Sequence, residues 1–554
     1  MQIKSYFPNK WRQLENIALT GTFFNSQGQM LDDVSVASYF NAPDEATFTE
    51  ELKRLNGYWG TVAFTEDGCL LAVDRIRSCP LFYSMYNGTL YISSDANWIL
   101  DQIGEKEIDE VAKVEFLMTG FIPGNATLSP HIKQVQAGSY VYIKIFGTVV
   151  TVDESFYYQY SHTKYYEMEN SELLNLFDSV INNIFTRIEQ IAKGRQLVIP
   201  LSGGYDSRYI VLMLKRMGYN NIVTYTYGKV GGEETKISRY IAQKLGVPWY
   251  FVEYTADRWR SIYSSEAVKQ FYKYTSNLNS LPHMQDYPAI MWLKENVLSD
   301  DAVFLPGISA DLNTGGFFDK YSWIYNDSAT LEDLKRLILY YSYELAPWNI
   351  CAPCTHDAVI KRLDTIIESQ YPQISAWEAF ERWVAVEKVA KFVLNSVRAY
   401  EFAGFDWWTP YWDIEFVDFW YNVPPRLRKG QTLYLSYLKS LTKEFKCFDD
   451  IDPLFRDGML TYNSVKKVGI AYGSFRRRML RNIVVKSVKS VLPNTVIQKI
   501  KKQMVKDVTG ISGAYFDTLL LTLYPKEQIN ALVRQGYKLN GIVGKHYMKT
   551  ILWH

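Results

Sequence analysis

Along the first 155 residues, apolar and polar positions alternate in short runs separated by turn residues. Tyr58–Phe64, Leu70–Val73, Thr89–Ser93 and Ser139–Lys144 read as strands. Asp109–Met118 has helical spacing with an acid suited to a first turn. Residues 156–170, which include Tyr157-Tyr-Gln-Tyr-Ser-His-Thr-Lys-Tyr-Tyr166, read as a polar, tyrosine-rich connector. A long amphipathic helix is predicted from Ser171 toward Ile191. Strands and helices then alternate: the apolar run Leu197–Leu201, a helix over Tyr209–Leu214, Ile222–Thr226, a helix over Glu233–Leu245, Trp249–Val252 and Val303–Leu305. That order predicts a parallel sheet with helices on both faces. From about Thr330 the pattern is helical. The expected organisation is a first domain over 1–155, a linker over 156–175 and a second domain over 176–554.

Composition narrows the function classes. At 554 residues the chain is long enough for two or three domains with their own cores. A net charge of +1 argues against bulk nucleic-acid binding, so no stable nucleic-acid partner is expected. Five cysteines in so long a chain make no disulfide framework, and no stretch has the length and apolarity of a membrane span. A reducing, cytoplasmic setting is the expectation. Cys351-Ala-Pro-Cys354 has redox or zinc spacing but lacks a second ligand pair, and reads as two ordinary cysteines near a turn. Six scattered histidines give no visible metal site or triad.

The stretch with most chemistry is Ser202-Gly-Gly-Tyr-Asp206-Ser207, between the apolar strand and the helix. Glycines let the backbone approach an anion, consecutive N–H groups face it, and the helix N-terminus adds a favourable dipole. Ser202 and Ser207 can donate hydroxyls, and Asp206 can hold Mg²⁺ against phosphate oxygens. The pattern is neither Walker A nor the dinucleotide fingerprint. It resembles the PP-loop of ATP pyrophosphatases, which cleave ATP between the α and β phosphates. A plain glycine turn with an acidic helix start is the bland alternative. In an open parallel sheet ligands bind at the carboxyl ends of strands, so this loop, the Tyr225–Gly228 strand end and the Pro306-Gly307 end should converge.

The whole arrangement resembles asparagine synthetase. Leu55-Asn-Gly-Tyr-Trp-Gly60 and Asp74-Arg75-Ile-Arg77-Ser-Cys-Pro80-Leu-Phe-Tyr83 are similar to that family's LxGxFA and DRxGxxPLYY segments. Leu305-Pro-Gly307-Ile-Ser-Ala-Asp311-Leu-Asn-Thr-Gly315-Gly316 is similar to a weakened GxGxDExxGGY loop, and Arg398-Ala-Tyr-Glu401 with Thr409-Pro410-Tyr-Trp-Asp413 to SxExRxPFLD. The resemblance implies an Ntn-hydrolase-like, glutamine amidotransferase-like sandwich followed by a PP-loop α/β domain with a helical C-terminal extension. It implies ATP and Mg²⁺ as cofactors and amide formation through an acyl adenylate. Ser202, Gly203, Gly204, Asp206 and Ser207 would hold pyrophosphate, Asp206 and Asp311 the magnesium, and backbone near Tyr227 and Gly307 the adenosine. Lys466 or Lys467 would neutralise charge at the α phosphate, with a solvated lysine pair as the other reading. Arg398 and Glu401 stand at i, i+3 on a helix face. Glu401 is the candidate for orienting or deprotonating the amine, and a surface ion pair is the alternative.

The departures matter as much. Glutamine-using members carry Cys at position 2 as nucleophile; here it is Gln2, whose amide cannot attack as a thiolate does. Glutaminase activity is therefore not expected, and nitrogen would come from free ammonia, a separate amidotransferase partner or an amine substrate. Ile308 and Leu312 stand where asparagine synthetase has acids, which disfavours aspartate as substrate. A glycan, small-molecule or peptide carboxylate is expected instead. The Trp407-Trp408 and Trp412 cluster points toward a polysaccharide pathway, with core packing as the alternative. The basic stretch 466–506 could contact a membrane surface or an anionic substrate, or be a solvated face over the nucleotide site. A homodimer is a further expectation. The alternatives are a macrolactam or β-lactam-type cyclase, a PP-loop RNA-modifying enzyme and an inactive nucleotide-binding scaffold.

Overall fold

The computed structural model describes residues 2–445 and 523–550, apart from residues 9, 41–44, 148, 163, 229, 327 and 371–373. Lys466, Lys467 and the basic stretch 466–506 lie outside the described residues.

The first domain is a sandwich of two sheets. One has six antiparallel strands in the spatial order Val149–Phe156, Ser139–Phe146, Gly68–Val73, Asn56–Thr65, Ile17–Phe24 and Arg12–Leu14. The other has four, in the order Gln2–Tyr6, Thr89–Ser93, Phe82–Tyr86 and Lys133–Gln134. The alternating pattern explains the pairing, because Val62, Leu71, Val141 and Ile143 from the first sheet pack on Leu90 and Ile92 from the second. Four helices accompany the sheets, Asp33–Phe40, Glu45–Arg54, Ala96–Ile103 and Glu110–Thr119, which is more than the sequence pattern suggests. Asp109 caps the last of these, its carboxylate accepting from the Val111 and Ala112 N–H groups.

The second domain is an α/β unit on a five-stranded parallel sheet in the order Trp249–Glu253, Ile222–Gly228, Leu197–Pro200, Val303–Phe304 and Asp406–Trp407. The strand Leu197–Pro200 is central, and Leu197, Val198 and Ile199 are fully buried, as a strand covered on both faces requires. The helix Asn170–Ala192 begins inside the stretch expected to form the linker and runs into the second domain. The remaining chain to residue 445 is mainly helical and includes a π-helical stretch over Val384–Val393. Among the described residues no helix is long and apolar enough to cross a membrane.

The connector between the domains is packed rather than solvated. The Tyr157 hydroxyl donates to the Val73 carbonyl at 2.9 Å and the Tyr160 hydroxyl to that of Arg75 at 2.8 Å. Both rings are buried, because a tyrosine can bury its ring while its hydroxyl satisfies a backbone carbonyl. The stretch Thr409–Asp413 ties the domains together. Tyr58 donates to the Thr409 carbonyl at 2.6 Å, and Asn56 donates to Asp413, which also holds Arg187 in a two-pronged pair at 2.7 and 2.8 Å.

Candidate active site

The strand Leu197–Pro200 runs into the loop 201–204, and the helix Tyr205–Arg216 starts at once, with Gly204 as its N-cap. The Ser202 hydroxyl lies 3.1 Å from that of Ser207 and accepts from the Gly204 N–H at 3.1 Å, while the Ser202 N–H donates to the Ser207 hydroxyl at 3.1 Å. These bonds close the loop on itself. No side chain caps the helix, so its first N–H groups stay available to an anion.

The neighbouring strand ends converge on this loop. The Leu201 N–H donates to the Tyr225 carbonyl at 2.8 Å. Gly307, beyond the end of Val303–Phe304, packs so closely that a Cβ would sit 3.0 Å from the Ser207 nitrogen and 3.1 Å from the Asp206 Cβ. A side chain at this position would force the two loops apart by a few tenths of an ångström. Tyr227 is engaged by its own neighbours. Its ring stacks on Tyr254 at 4.8 Å, and its hydroxyl bonds the buried Asp286, which also accepts from Tyr400 at 2.9 Å.

Asp206 and Asp311 form the acidic part of the site. Burial pushes the Asp206 carboxyl up to about 7, the Asp311 charge adds to this, and a hydrogen bond from Tyr434 at 3.0 Å opposes it. Burial also raises the Asp311 carboxyl. Asp206 is half-buried and Asp311 exposed, with the Lys320 charge acting on Asp311, and the two carboxylates make a donor set that a hard divalent cation such as Mg²⁺ fits, with phosphate oxygens and water completing its shell. Among the described residues no cluster of three or more His, Cys, Asp or Glu could hold a metal unaided.

The loop after Gly307 is apolar where an amino-acid-binding site would need charge. Ile308 and Leu312 are buried in the core. Asp311 lies on the short helix Ala310–Thr314, which ends at Gly315 with φ +97°. A buried ion pair anchors that end. Arg428 donates to Glu381 at 3.0 Å and to the Asn313 and Leu312 carbonyls at 3.1 and 3.3 Å, while Glu381 also contacts His162 at 2.9 Å and accepts from Tyr325 at 2.9 Å. Arg428, Glu381, Tyr411 and Tyr434 escaped the sequence reading. Tyr411 alone had a signal, since it stands inside the Thr409–Asp413 stretch.

Arg398 and Glu401 are not an exposed surface pair. Their side chains are 10% and 18% exposed and meet at 2.6 Å. They border a cavity between the two domains, away from the 202–207 loop, and Arg398 also donates to the Ser78 carbonyl of the first domain at 2.6 Å. Glu401 accepts further bonds from Trp407 at 2.8 Å and Tyr274 at 3.0 Å. A carboxylate engaged by three donor groups suits orienting more than proton abstraction. Of the three tryptophans, Trp408 and Trp412 are core residues at 2% and 3% exposure, and only Trp407 is partly open. Gln2 is exposed, at the start of an edge strand.

With this geometry in place, comparison with known proteins is informative. Residues 189–445 match the asparagine synthase family and residues 43–157 the glutamine amidotransferase domain family. Together the two matches support an asparagine synthetase-like family. It is 23% identical over 352 residues to an asparagine synthetase [glutamine-hydrolyzing] 1 from Bacillus subtilis (strain 168), a match covering 58% of this chain and 48% of that protein. The synthetase-like chain thus spans about half the length of that curated relative. Among solved structures it is similar to an NH3-dependent NAD synthetase from Campylobacter jejuni, with TM-score 0.19, 14% identity and coverage of 37% of this chain and 99% of that one. A glutamine phosphoribosylpyrophosphate amidotransferase from B. subtilis gives TM-score 0.19, 13% identity and coverage of 44% and 72%. The fold is defined by the strand orders given above rather than by these alignments.

Proposed function

We propose that the synthetase-like chain is an ATP-dependent ligase that activates a carboxylate as an acyl adenylate and transfers it to an amine, releasing AMP and pyrophosphate. The observation that carries this reading is the closed Ser202–Ser207 loop facing the paired Asp206 and Asp311 beneath Gly307. Such a site contributes positioning and charge neutralisation rather than covalent help, which is what attack at a phosphorus centre needs. The loop N–H groups and the helix N-terminus orient the pyrophosphate, and backbone near Tyr227 and Gly307 receives the adenosine. Mg²⁺, held by Asp206 and Asp311, would screen the leaving group's charge. Lys466 or Lys467 is proposed to face the α phosphate.

The acid is proposed not to be aspartate, because Ile308 and Leu312 offer no charge to an α-amino acid. A glycan, small-molecule or peptide carboxylate fits better, and a role in a polysaccharide or specialised-metabolite pathway is the proposed setting. The nitrogen is proposed to come from ammonia, a separate amidotransferase or an amine substrate, since Gln2 cannot serve as nucleophile. Pyrophosphate release from ATP, measured across panels of uronic acids and peptides with Asp206→Ala as control, tests the reading. Release with an acid that Asp206→Ala abolishes supports it, and release unaffected by Asp206→Ala overturns the metal assignment.

A further inference from the structure

We propose that the cavity between the two domains is a binding site for a small monocarboxylate, held by Arg77. The cavity encloses about 1060 Å³, and Trp11, Tyr58 and Arg77 of the first domain face Arg398, Glu401 and Trp407 of the second across it. No residue of the 202–207 loop borders it, nor does Asp311. The assignment therefore stands whether or not the second domain activates a carboxylate.

Arg77 is the anomaly in this wall. Its backbone is left-handed, with φ +56°, a region in which residues other than glycine are strained, and it stands where the DRxGxxPLYY segment has glycine. The side chain is 3% exposed. Its Nε–H donates to the Val135 carbonyl at 2.9 Å, whereas Nη2 is buried with no hydrogen-bond partner among the described residues. The guanidinium also lies over the Phe82 ring, 5.3 Å from its centroid. Burying a cation this way is unfavourable unless something pairs with it.

The other deeply buried cations beside the cavity have partners. Arg398 is paired with Glu401, and Lys391 with Glu387 at 2.5 Å and the carbonyls of Ile122 and Gly124. The acids whose fields reach Arg77 are Asp74 and Glu387, and both are engaged elsewhere. Asp74 accepts from the Trp59, Ile76 and Ser78 N–H groups and the Ser78 hydroxyl, and Glu387 from Lys391 and the Gly124 N–H. Burial and the neighbouring Arg398 charge lower the Arg77 guanidinium to about 9, which leaves it charged at neutral pH.

The Asp74 and Glu387 charges offset part of its field, but neither pairs with the Arg77 guanidinium directly, and one carboxylate in the cavity would supply that partner. The planar Arg77 fork suits a planar carboxylate, and inorganic phosphate is the control anion. Guanidinium recognises carboxylate through paired N–H donors. Tyr58 and Trp407, stacked at 5.2 Å, supply a flat apolar surface for the body of the ligand.

Isothermal titration calorimetry of the full chain without nucleotide, using glucuronate, glutamate and inorganic phosphate as probes, tests this. At least one carboxylate should bind, and Arg77→Gly should weaken it about tenfold or more. Glycine suits the left-handed backbone, so this variant should keep or raise the melting temperature; Arg77→Lys, which keeps the charge without the fork, should also bind more weakly than wild type. Absence of carboxylate binding, binding of phosphate alone, or unchanged affinity in both variants would overturn the proposal.

Discussion

The Tyr411 hydroxyl donates to the Asp206 carbonyl at 2.6 Å, tying the segment on which the first domain docks to the first turn of the loop helix. On the same segment Thr409 and Asp413 receive Tyr58 and Asn56, and the Tyr411 carbonyl accepts from Asn313 at 2.9 Å. One short stretch thus sets the domain interface, the 202–207 loop and the Asp311 loop together.

Tyr411→Phe is predicted to leave a buried carbonyl without its donor. The cost should be about 1–3 kcal/mol in unfolding free energy, with weaker ATP binding. Urea unfolding and nucleotide titration check this, and a variant unchanged in both would count against the coupling.

The Asp206 carboxyl gives a pH dependence of definite sign. Its value is raised from an ordinary 3.8 to about 7, so between those limits the native state binds more protons than the unfolded one. Stability without Mg²⁺ should therefore fall as pH rises through that window. Asp206→Asn should remove much of that slope, and Mg²⁺ should recover stability at the upper end. Urea midpoints at several pH values decide it; equal slopes in wild type and variant would contradict the assignment.

Removing Arg428 should be among the costliest substitutions. Arg428→Met leaves Glu381 buried with only His162 and Tyr325 as side-chain partners and frees the Leu312 and Asn313 carbonyls. A loss of about 3–5 kcal/mol is expected. The double variant Arg428→Met with Glu381→Leu should recover part of it. Thermal and urea unfolding of the three proteins measure the coupling, and a single variant within experimental error of wild type would refute it.

Glutamine should not be hydrolysed. Gln2 opens an exposed edge strand paired with Thr89, so even Gln2→Cys should not confer activity. A coupled glutamate assay checks both proteins, and glutamate release by either would reverse the conclusion about the nitrogen source.

Much of the fold is legible in the sequence wherever the cause is local. The strand Thr89–Ser93 and the helix Glu233–Leu245 have the bounds the pattern predicts, and the central strand is marked by its unbroken apolar run before two glycines. Features made by long-range contacts are not legible. Tyr434 reaches Asp206 across more than two hundred residues, and the fifth strand, Asp406–Trp407, is too short to have a period. Tyr157 and Tyr160 read as polar in a connector, yet the structure buries them, because each hydroxyl finds a carbonyl. Arg398 and Glu401 stand at the spacing that pairs them, but spacing alone could not say that they face the first domain.

The central claim is cleavage of ATP at the α phosphate, and the most direct test is to identify the products. Phosphorus NMR of ATP turnover with an accepted acid should show AMP and pyrophosphate in equal amounts, and neither with Asp206→Ala. ADP and inorganic phosphate as the products would contradict the account.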